Sequence, residues 1–180
     1  MATIHFHRNT TATPEQFVSG LTDFGPDRSK IFAFSSDAYL QVHASGPHRA
    51  DVTEGSGGSW ERLTYDWSDP NHVVLTTTDS NLYGGASGYT YTLTRRSDAT
   101  TDIDAVIVRE GKNLKGKLRC ALLATFGRPV LKRAFVNSVK AIETRSAAGA
   151  AQRTSLRAYK GWDDVPVHRF GCSRRQVNTV

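Results

Sequence analysis

The longest helix-compatible segment of the chain is NLKGKLRCALLATFGRPVLKRAFVNSVKAIETR, residues 113–145. A helix of about 28 residues would be about 42 Å long. Its apolar residues recur at spacings of three and four, which places them in two stripes. The first stripe is Leu114, Leu118, Ala121, Leu122 and Thr125, and the second is Leu131, Phe135, Ser138, Val139 and Ile142. A helix of this length needs a broad apolar surface to lie against, so the preceding residues should form a sheet.

Two helix-weakening residues, Gly127 and Pro129, separate the stripes. Proline has no backbone N–H to donate to the carbonyl of Thr125, and glycine weakens the same turn. We therefore predict a break or bend over residues 126–129.

The start of the chain predicts a strand followed by a capped helix. Residues 3–10 alternate in polarity as a strand does. Thr13 suits an N-cap, Pro14 a first helical position and Gln16 the partner position of a capping box. A second short helical piece is predicted over residues 27–32.

From residue 39 onward the polarity pattern has a period of two, which is typical of strands. Separators rich in Gly, Ser, Asp and Pro divide the region into short segments. The predicted strands are residues 39–44, 50–54, 59–67, 72–78, 88–95 and 101–109. Short, even connections indicate an antiparallel meander of about seven strands when the first strand is included.

Composition predicts a globular protein, with 38% hydrophobic and 22% charged residues. The longest uncharged apolar run, residues 120–126, is far shorter than the roughly 20 residues of a membrane span. The first residues lack the pattern of a signal peptide, and the two cysteines, Cys120 and Cys172, form no CxxC motif. A cytoplasmic location is therefore expected.

The positive charge is concentrated in the helical segment. Residues 1–111 carry a net charge of −6, residues 112–145 of +8 and residues 146–180 of +4, which together give +6. One interpretation is a solvated helix face, and the other is a docking surface for an anionic membrane, an anionic ligand or an acidic carrier protein. No nucleic-acid partner is expected, because no aromatic residues are interleaved with the basic ones.

Three stretches resemble a known family. They are TATPE at residues 11–15, GSWERLTYDWSDP at residues 58–70 and GGASGYTYTL at residues 84–93. Together with the long C-terminal helix, they resemble the SRPBCC (START-like) superfamily, in its polyketide cyclase/dehydrase-like branch. The resemblance covers about residues 2–145.

What the resemblance implies is an α+β, helix-grip fold. A curved antiparallel sheet of about seven strands would wrap around the C-terminal helix, with two short helices after the first strand. An elongated apolar cavity between sheet and helix would hold a lipid-like or polycyclic ligand. Residues 1–145 would form this domain. The resemblance does not extend to residues 146–180, whose Ala/Gly-rich and then Arg-rich composition without periodicity predicts a basic, largely irregular tail in which Trp162 and Val165 could still dock.

Strand alternation suggests which residues line that cavity. Arg8 shares a face with apolar neighbours and could anchor a ligand carboxylate or phosphate; alternatively it pairs internally or lies at a strand end in water. Inward tyrosines could orient a ligand oxygen, or be ordinary core residues. The full set of candidates is Arg8, Tyr65, Trp67, Thr76, Tyr89, Tyr91, Leu118, Leu122 and Phe126.

Metal binding and known catalytic motifs have little support in the sequence. His5 and His7 share a strand face, but no third ligand is evident, so neither a metal nor another cofactor is predicted. Glu54 and Glu61 are expected to be exposed, and Cys120 to be an inert packing residue. GxSxG, Walker, Rossmann and HExxH motifs do not occur.

Three functions remain open. The first is a module that binds a hydrophobic small molecule without chemistry. The second is an enzyme resembling polyketide cyclases or dehydratases, with Arg8 or Tyr89 polarising a carbonyl and a histidine removing a proton. The third is an adaptor that binds a protein through its basic helix. Ligand identity and oligomeric state are not determined by the sequence.

Overall fold

The structure is a computed structural model that describes residues 1–32, residue 35 and residues 38–160, without the side chains of residues 150 and 153–160. The chain divides into two compact units, Met1–Ser146 and Ala147–Val180. The fold and the site described below belong to the first unit. Trp162 and Val165 lie outside the described residues.

A seven-stranded antiparallel sheet forms most of the first unit. Its strands are β1 (Ala2–Thr10), β2 (Gln41–Ser45), β3 (Arg49–Ser56), β4 (Ser59–Asp69), β5 (His72–Ser80), β6 (Gly88–Arg95) and β7 (Thr101–Arg109). They lie in the order β1-β7-β6-β5-β4-β3-β2. The chain therefore runs as a meander from β2 to β7, and β1 closes the sheet beside β7.

Alternation along the strands separates a core face from a solvent face. On β1, Ile4 and Phe6 are buried, whereas His5 and His7 are exposed. The ring of Phe6 stacks on that of Phe135 with 5.7 Å between centroids. This contact joins the inner face of the sheet to the C-terminal helix.

The first helix, α1 (Pro14–Leu21), has the predicted capping box. The backbone N–H of Gln16 donates to Oγ1 of Thr13 at 3.3 Å, and that of Thr13 donates to Oε1 of Gln16 at 2.8 Å. A single-turn helix, α2 (Arg28–Ile31), follows it. Both short helices come before β2, as the sequence predicts.

The C-terminal helical segment has three parts. These are α3 (Leu114–Leu122), a π-helical turn (Leu123–Gly127) and α4 (Arg128–Lys160). The backbone is not broken over residues 126–129; the predicted irregularity takes the form of the π-helical turn, just before Pro129. A wider turn is a common way for a helix to accommodate the missing N–H and the ring of proline. The helix also continues to Lys160, beyond the predicted end at residue 145.

The second apolar stripe of this segment faces the core, but the first does not. Val139 and Ile142 are buried, and Leu131 and Phe135 pack on the core cluster. The predicted inward position of Leu118 and Leu122 in α3 was wrong, because both side chains are exposed. The reason is close backbone packing of Gly116, where a methyl group would collide with the carbonyl oxygen of Leu82.

Small residues therefore set the orientation of α3. Besides Gly116, the buried Cys120 faces the sheet, and its thiol donates to the carbonyl of Arg109 at 3.5 Å. The packing role expected for Cys120 agrees with this contact. Leu123 comes about one helical turn after Cys120 and lies on the same face. Leu118 and Leu122 lie on the opposite face and point away from the sheet.

A glycine-to-alanine pair tests this contact. We expect Gly116→Ala to lower the free energy of unfolding by about 1–3 kcal/mol through overpacking, even though alanine in a helix normally adds stability. Urea unfolding followed by circular dichroism measures the change.

The matched control is Gly46→Ala, where the added methyl group would lie 3.7 Å from the nearest atom, the carbonyl oxygen of Arg49. This control should be nearly neutral. Equal stabilities for the two variants would show that the close contact does not orient the helix.

Candidate ligand-binding cavity

A cavity of about 380 Å³ lies between the sheet and the C-terminal helix. Inner-face residues of β3 to β7, such as Leu63, Leu75 and Ile107, form one wall. The helix contributes small residues, among them Gly127 and Ala134, to the opposite wall. Larger side chains such as Leu131 and Phe135 complete that wall, and the cavity volume suits a small organic molecule.

A buried arginine forms the first polar cluster beside the cavity. Arg28 is 3% exposed, and its Nε donates to Oε2 of Glu54 at 2.8 Å. One Nη2 hydrogen goes to the other oxygen of Glu54 at 3.0 Å and the second to the hydroxyl of Tyr65 at 2.9 Å. Nη1 donates to the carbonyls of Leu21 and Asp23, each at 2.9 Å. All five N–H groups of this guanidinium are thus used inside the protein, and none is left for a ligand.

Aromatic rings complete the surroundings of Arg28. Its guanidinium carbon lies 4.7 Å from the centroid of Phe24 and 4.8 Å from that of Phe32. Cation–π contacts of this kind stabilise a charge that water cannot reach. Arg28 therefore supports the cavity wall and holds Glu54 in place.

A second arginine–glutamate pair joins β7 to β4 across the inner face of the sheet. Nη2 of Arg109 is 3.2 Å from Oε1 of Glu61, whose other oxygen accepts from Thr77 at 3.0 Å. The Arg109 guanidinium also covers the rings of Tyr89 and Tyr83, at 4.2 and 4.9 Å from their centroids. Glu61, Tyr83 and Tyr89 all line the cavity.

The two glutamates are direct neighbours across β3 and β4. Glu54 and Glu61 are register partners, so both side chains leave the inner face of the sheet side by side. Two carboxylates this close would repel each other, and each has its own arginine. The two ion pairs therefore contribute no net charge to the cavity.

Burial and charge hold each of these groups in one protonation state. Burial alone would raise the pKa of Glu54, but Arg28 outweighs it and the pKa lies below its ordinary value. Burial raises the pKa of Tyr65 well above its ordinary value, and that of Tyr91 to about 12. Burial also raises the pKa of Tyr89. Near pH 7 the carboxylate of Glu54 is ionised and the three phenols are protonated.

A serine hydroxyl also faces this region. Ser35 is 3% exposed and lines the cavity. Its Oγ makes no hydrogen bond of good geometry with a described residue, although it lies close enough to Glu54 to help lower the pKa of that carboxyl. This hydroxyl therefore lies between Glu54 and the cavity.

No protein-family model matches the chain, and no curated protein matches it in sequence. Solved structures do match. A protein of Thermus thermophilus has a TM-score of 0.60 at 15% identity, over 82% of this chain and 98% of that one. A START superfamily protein from Mycobacterium smegmatis has a TM-score of 0.54 at 12% identity, over 81% and 97% of the two chains.

A third match is the Zhui aromatase/cyclase from Streptomyces sp. R1128, with a TM-score of 0.56 at 13% identity over 81% of this chain and 93% of that one. The chain has the START-like, helix-grip fold. The fold predicted from the sequence is thereby confirmed, and at these identities the similarity concerns the fold alone.

Three of the nine predicted site residues line the helix-grip cavity, namely Tyr65, Tyr89 and Tyr91. Trp67 lies on the same face of β4 but packs on the core cluster and is not part of the cavity wall. Thr76 is exposed on the outer face of β5, one residue out of register with the inward Leu75.

Arg8 does not reach the cavity. It lies on the inner face of β1, half-buried opposite Ile103, and its Nε is buried without a hydrogen-bond partner among the described residues. The sheet wall of the cavity is formed by β3 to β7 and includes no residue of β1. Neither the ligand contact nor the internal pair predicted for Arg8 is present in the described residues.

The three helix residues predicted to line the cavity are exposed instead. Leu118 is 62% exposed, Leu122 52% and Phe126 76%. Periodicity shows that residues share a helix face but not which face meets the sheet, and the Gly116 contact turns this face outward. These three predictions were wrong.

The buried charges differ from what the sequence predicts. Glu54 and Glu61 were expected to be exposed, which is wrong: Glu54 is 8% exposed and the side chain of Glu61 14%. Strand alternation indicates an inward position for Glu54 and Arg109. Glu54 follows the inward Val52 by two residues, and Arg109 follows the inward Ile107 by two. Arg28 had no such signal, since it lies on a single helical turn.

None of the described histidines lines the cavity. His7 is on the outer face, where Nδ1 lies 2.8 Å from a carboxylate oxygen of Asp104. His43 and His72 make exposed contacts to threonines. No group of three metal-ligating side chains occurs among the described residues.

Two variants of β3 test the energetic role of the buried pair. Glu54→Gln leaves Arg28 buried without a counter-charge and should lower the free energy of unfolding by about 3–5 kcal/mol. Asp51→Asn is the matched control, because Asp51 pairs with Arg62 at the surface and its loss should change little. Urea unfolding at pH 7 gives both values. Similar losses for the two variants would contradict a structural role for the buried pair.

The lowered pKa of Glu54 also predicts a pH dependence. Because the folded pKa lies below the ordinary value of 4.5, ionised Glu54 contributes its full stability above that value. The contribution is lost as the pH falls through 4.5 toward the folded pKa. The difference in unfolding free energy between wild type and Glu54→Gln should therefore be constant from about pH 7 to pH 5 and shrink below. A difference that grew in acid would contradict this assignment.

Proposed function

We propose that the chain binds a hydrophobic small molecule, lipid-like or polycyclic, in the cavity between sheet and C-terminal helix. The observation that carries this proposal is the composition of the 380 Å³ cavity wall. Most of it is apolar or aromatic, and its two glutamates are neutralised by Arg28 and Arg109. Arg119 also contributes to the wall, but it is exposed to solvent. Such a wall favours a largely apolar ligand.

A few polar groups would orient the ligand. Within the described part of the chain, the hydroxyls of Tyr89 and Tyr91 have no hydrogen-bond partner, and both residues line the cavity. With pKa values raised by burial, these phenols act as donors to a ligand oxygen. Ser35 can donate or accept. We therefore expect a ligand with one or two oxygen atoms on a largely apolar skeleton.

The protonation states favour binding over catalysis. A general acid or base works best when its pKa lies near the operating pH. The pKa of Glu54 is displaced downward and those of Tyr65, Tyr89 and Tyr91 upward, so each moves away from neutrality. None of these groups is suited to exchange a proton with a ligand at pH 7.

The alternative proposal is an enzyme of the polyketide cyclase or dehydratase type. It is supported by the structural similarity to an aromatase/cyclase, whose fold this chain shares. Of the residues expected to act, Tyr89 lines the cavity, whereas Arg8 and the described histidines do not. In this alternative, Tyr89 would have to polarise the substrate carbonyl without a histidine partner.

We also propose a domain organisation, a cellular location and binding partners for the chain. We infer that residues 1–145 form the ligand-binding domain and residues 146–180 a basic tail, which the division after Ser146 supports. None of the described helices is long and apolar enough to cross a membrane. A cytoplasmic location, an acidic carrier protein and an anionic membrane surface remain proposals, and no nucleic-acid partner is proposed.

Dye binding tests the proposed ligand site. The uncharged apolar dye Nile red should bind one to one, and native mass spectrometry of the purified chain should show a co-purifying small molecule. Ala134→Trp fills part of the cavity and should weaken dye binding by about tenfold or more. Ala121→Trp, on the exposed side of the same helical segment, is the matched control and should bind as the wild type does.

Equal dye affinity for both tryptophan variants would place the dye outside the cavity and refute the proposal. Conversion of a poly-β-ketone substrate by the wild type, with loss of turnover in Tyr89→Phe, would favour the enzyme instead.

A further inference from the structure

An exposed apolar stripe runs along the outside of α3, the π-helical turn and the start of α4. Its members recur every four residues and are Leu114, Leu118, Leu122, Phe126 and Val130, with exposed fractions of 84%, 62%, 52%, 76% and 60%. We call this set the outer stripe. Single exposed apolar residues are ordinary, but a continuous row marks an interaction surface.

Basic side chains flank the outer stripe. They are Lys115, Lys117, Arg119, Arg128, Lys132 and Arg133, all of them exposed. None of the six forms a salt bridge with another described residue. No acidic residue occurs between Glu110 and Glu143. The surface around the stripe is therefore uniformly positive.

The outer stripe ends at the cavity. Val130 belongs to the stripe and also lines the cavity, together with the neighbouring Leu123 and Gly127. Arg119, one of the flanking basic residues, lines the cavity as well. A residue that is 60% exposed and also forms the cavity wall marks the place where the cavity meets the surface. The stripe thus leads from the outside of the helix to the cavity opening.

We propose that this face docks on an anionic lipid bilayer. The outer stripe inserts among the headgroups and upper acyl chains, and the six flanking residues contact the lipid phosphates. This is the binding mode of an interfacial amphipathic helix. Docking brings the cavity opening to the bilayer, so an apolar ligand passes between membrane and cavity without crossing water. This last step rests on the proposed function.

Charge and shape favour a bilayer over other occupants. A second copy docked through the same face would bring six more positive charges against the first six and be repelled. Residues 161–180 contain three arginines and two aspartates, so they do not offer complementary charge either. An acidic protein would match the charge, but Leu114, Leu118 and Leu122 stand on the outside of an exposed helix and are not among the residues that line the described cavity. A fluid apolar layer beneath an anionic surface suits both features.

Vesicle flotation tests the proposal. The full chain should float with vesicles of phosphatidylcholine and phosphatidylglycerol but not with phosphatidylcholine alone, and salt should weaken the binding. The double variant Leu118→Ser with Leu122→Ser should bind about tenfold less or weaker still. Val42→Ser, which removes an exposed apolar residue on β2, is the matched control and should bind as the wild type does.

Neither leucine packs in the core, so the double variant should keep its Nile red affinity, and its melting temperature should fall by no more than the few degrees that two serines cost in a helix. This separates failure of the membrane surface from failure of the ligand site. The absence of flotation with anionic vesicles, or equal flotation of the double variant, would overturn the proposal. A concentration-dependent dimer in light scattering that the double variant abolishes would overturn it in favour of self-association. A much larger fall in melting temperature would overturn it as well, by showing that another part of the chain covers the stripe.

Discussion

The contact between Gly116 and the carbonyl of Leu82 determines how the C-terminal helix lies over the sheet. Because any side chain at Gly116 would collide with that carbonyl, the backbone of α3 can approach the sheet only with this face inward. The same orientation directs Leu123, Gly127 and Ala134 toward the cavity. It also directs the leucines of α3 outward. The cavity wall and the exposed apolar stripe are thus two consequences of one backbone approach.

Two buried ion pairs set the chemical character of the cavity. An isolated carboxylate in this apolar space would be strongly destabilising, and each arginine offsets that cost for one glutamate. Arg28 is itself stabilised by carbonyls and by the rings of Phe24 and Phe32. Since the two glutamates are satisfied internally, the inner part of the cavity presents mainly tyrosine hydroxyls and apolar surface. This composition is the basis of the proposal that the cavity holds a weakly polar molecule.

Much of the fold could be predicted because strand alternation and turn residues are local signals. The seven strands, the capping box of Thr13 and Gln16, and the inward direction of Tyr65, Tyr89 and Tyr91 all follow from neighbours along the chain. Glu54 and Glu61 could have been assigned to the inner face by the same alternation. Their charge argued against burial, and the compensating Arg28 lies 26 residues away from Glu54, where no local pattern connects the two.

The sequence by itself determined the strand pattern, the helix-grip order of elements and the concentration of positive charge in the C-terminal segment. These properties depend on residues close together in the chain, whose periodicity is set by backbone geometry. The tertiary structure alone decided which side of α3 meets the sheet and which charges are buried as pairs. Both depend on contacts between distant segments, Gly116 with Leu82 and Arg28 with Glu54, whose steric fit and desolvation cost exist only once the chain has folded.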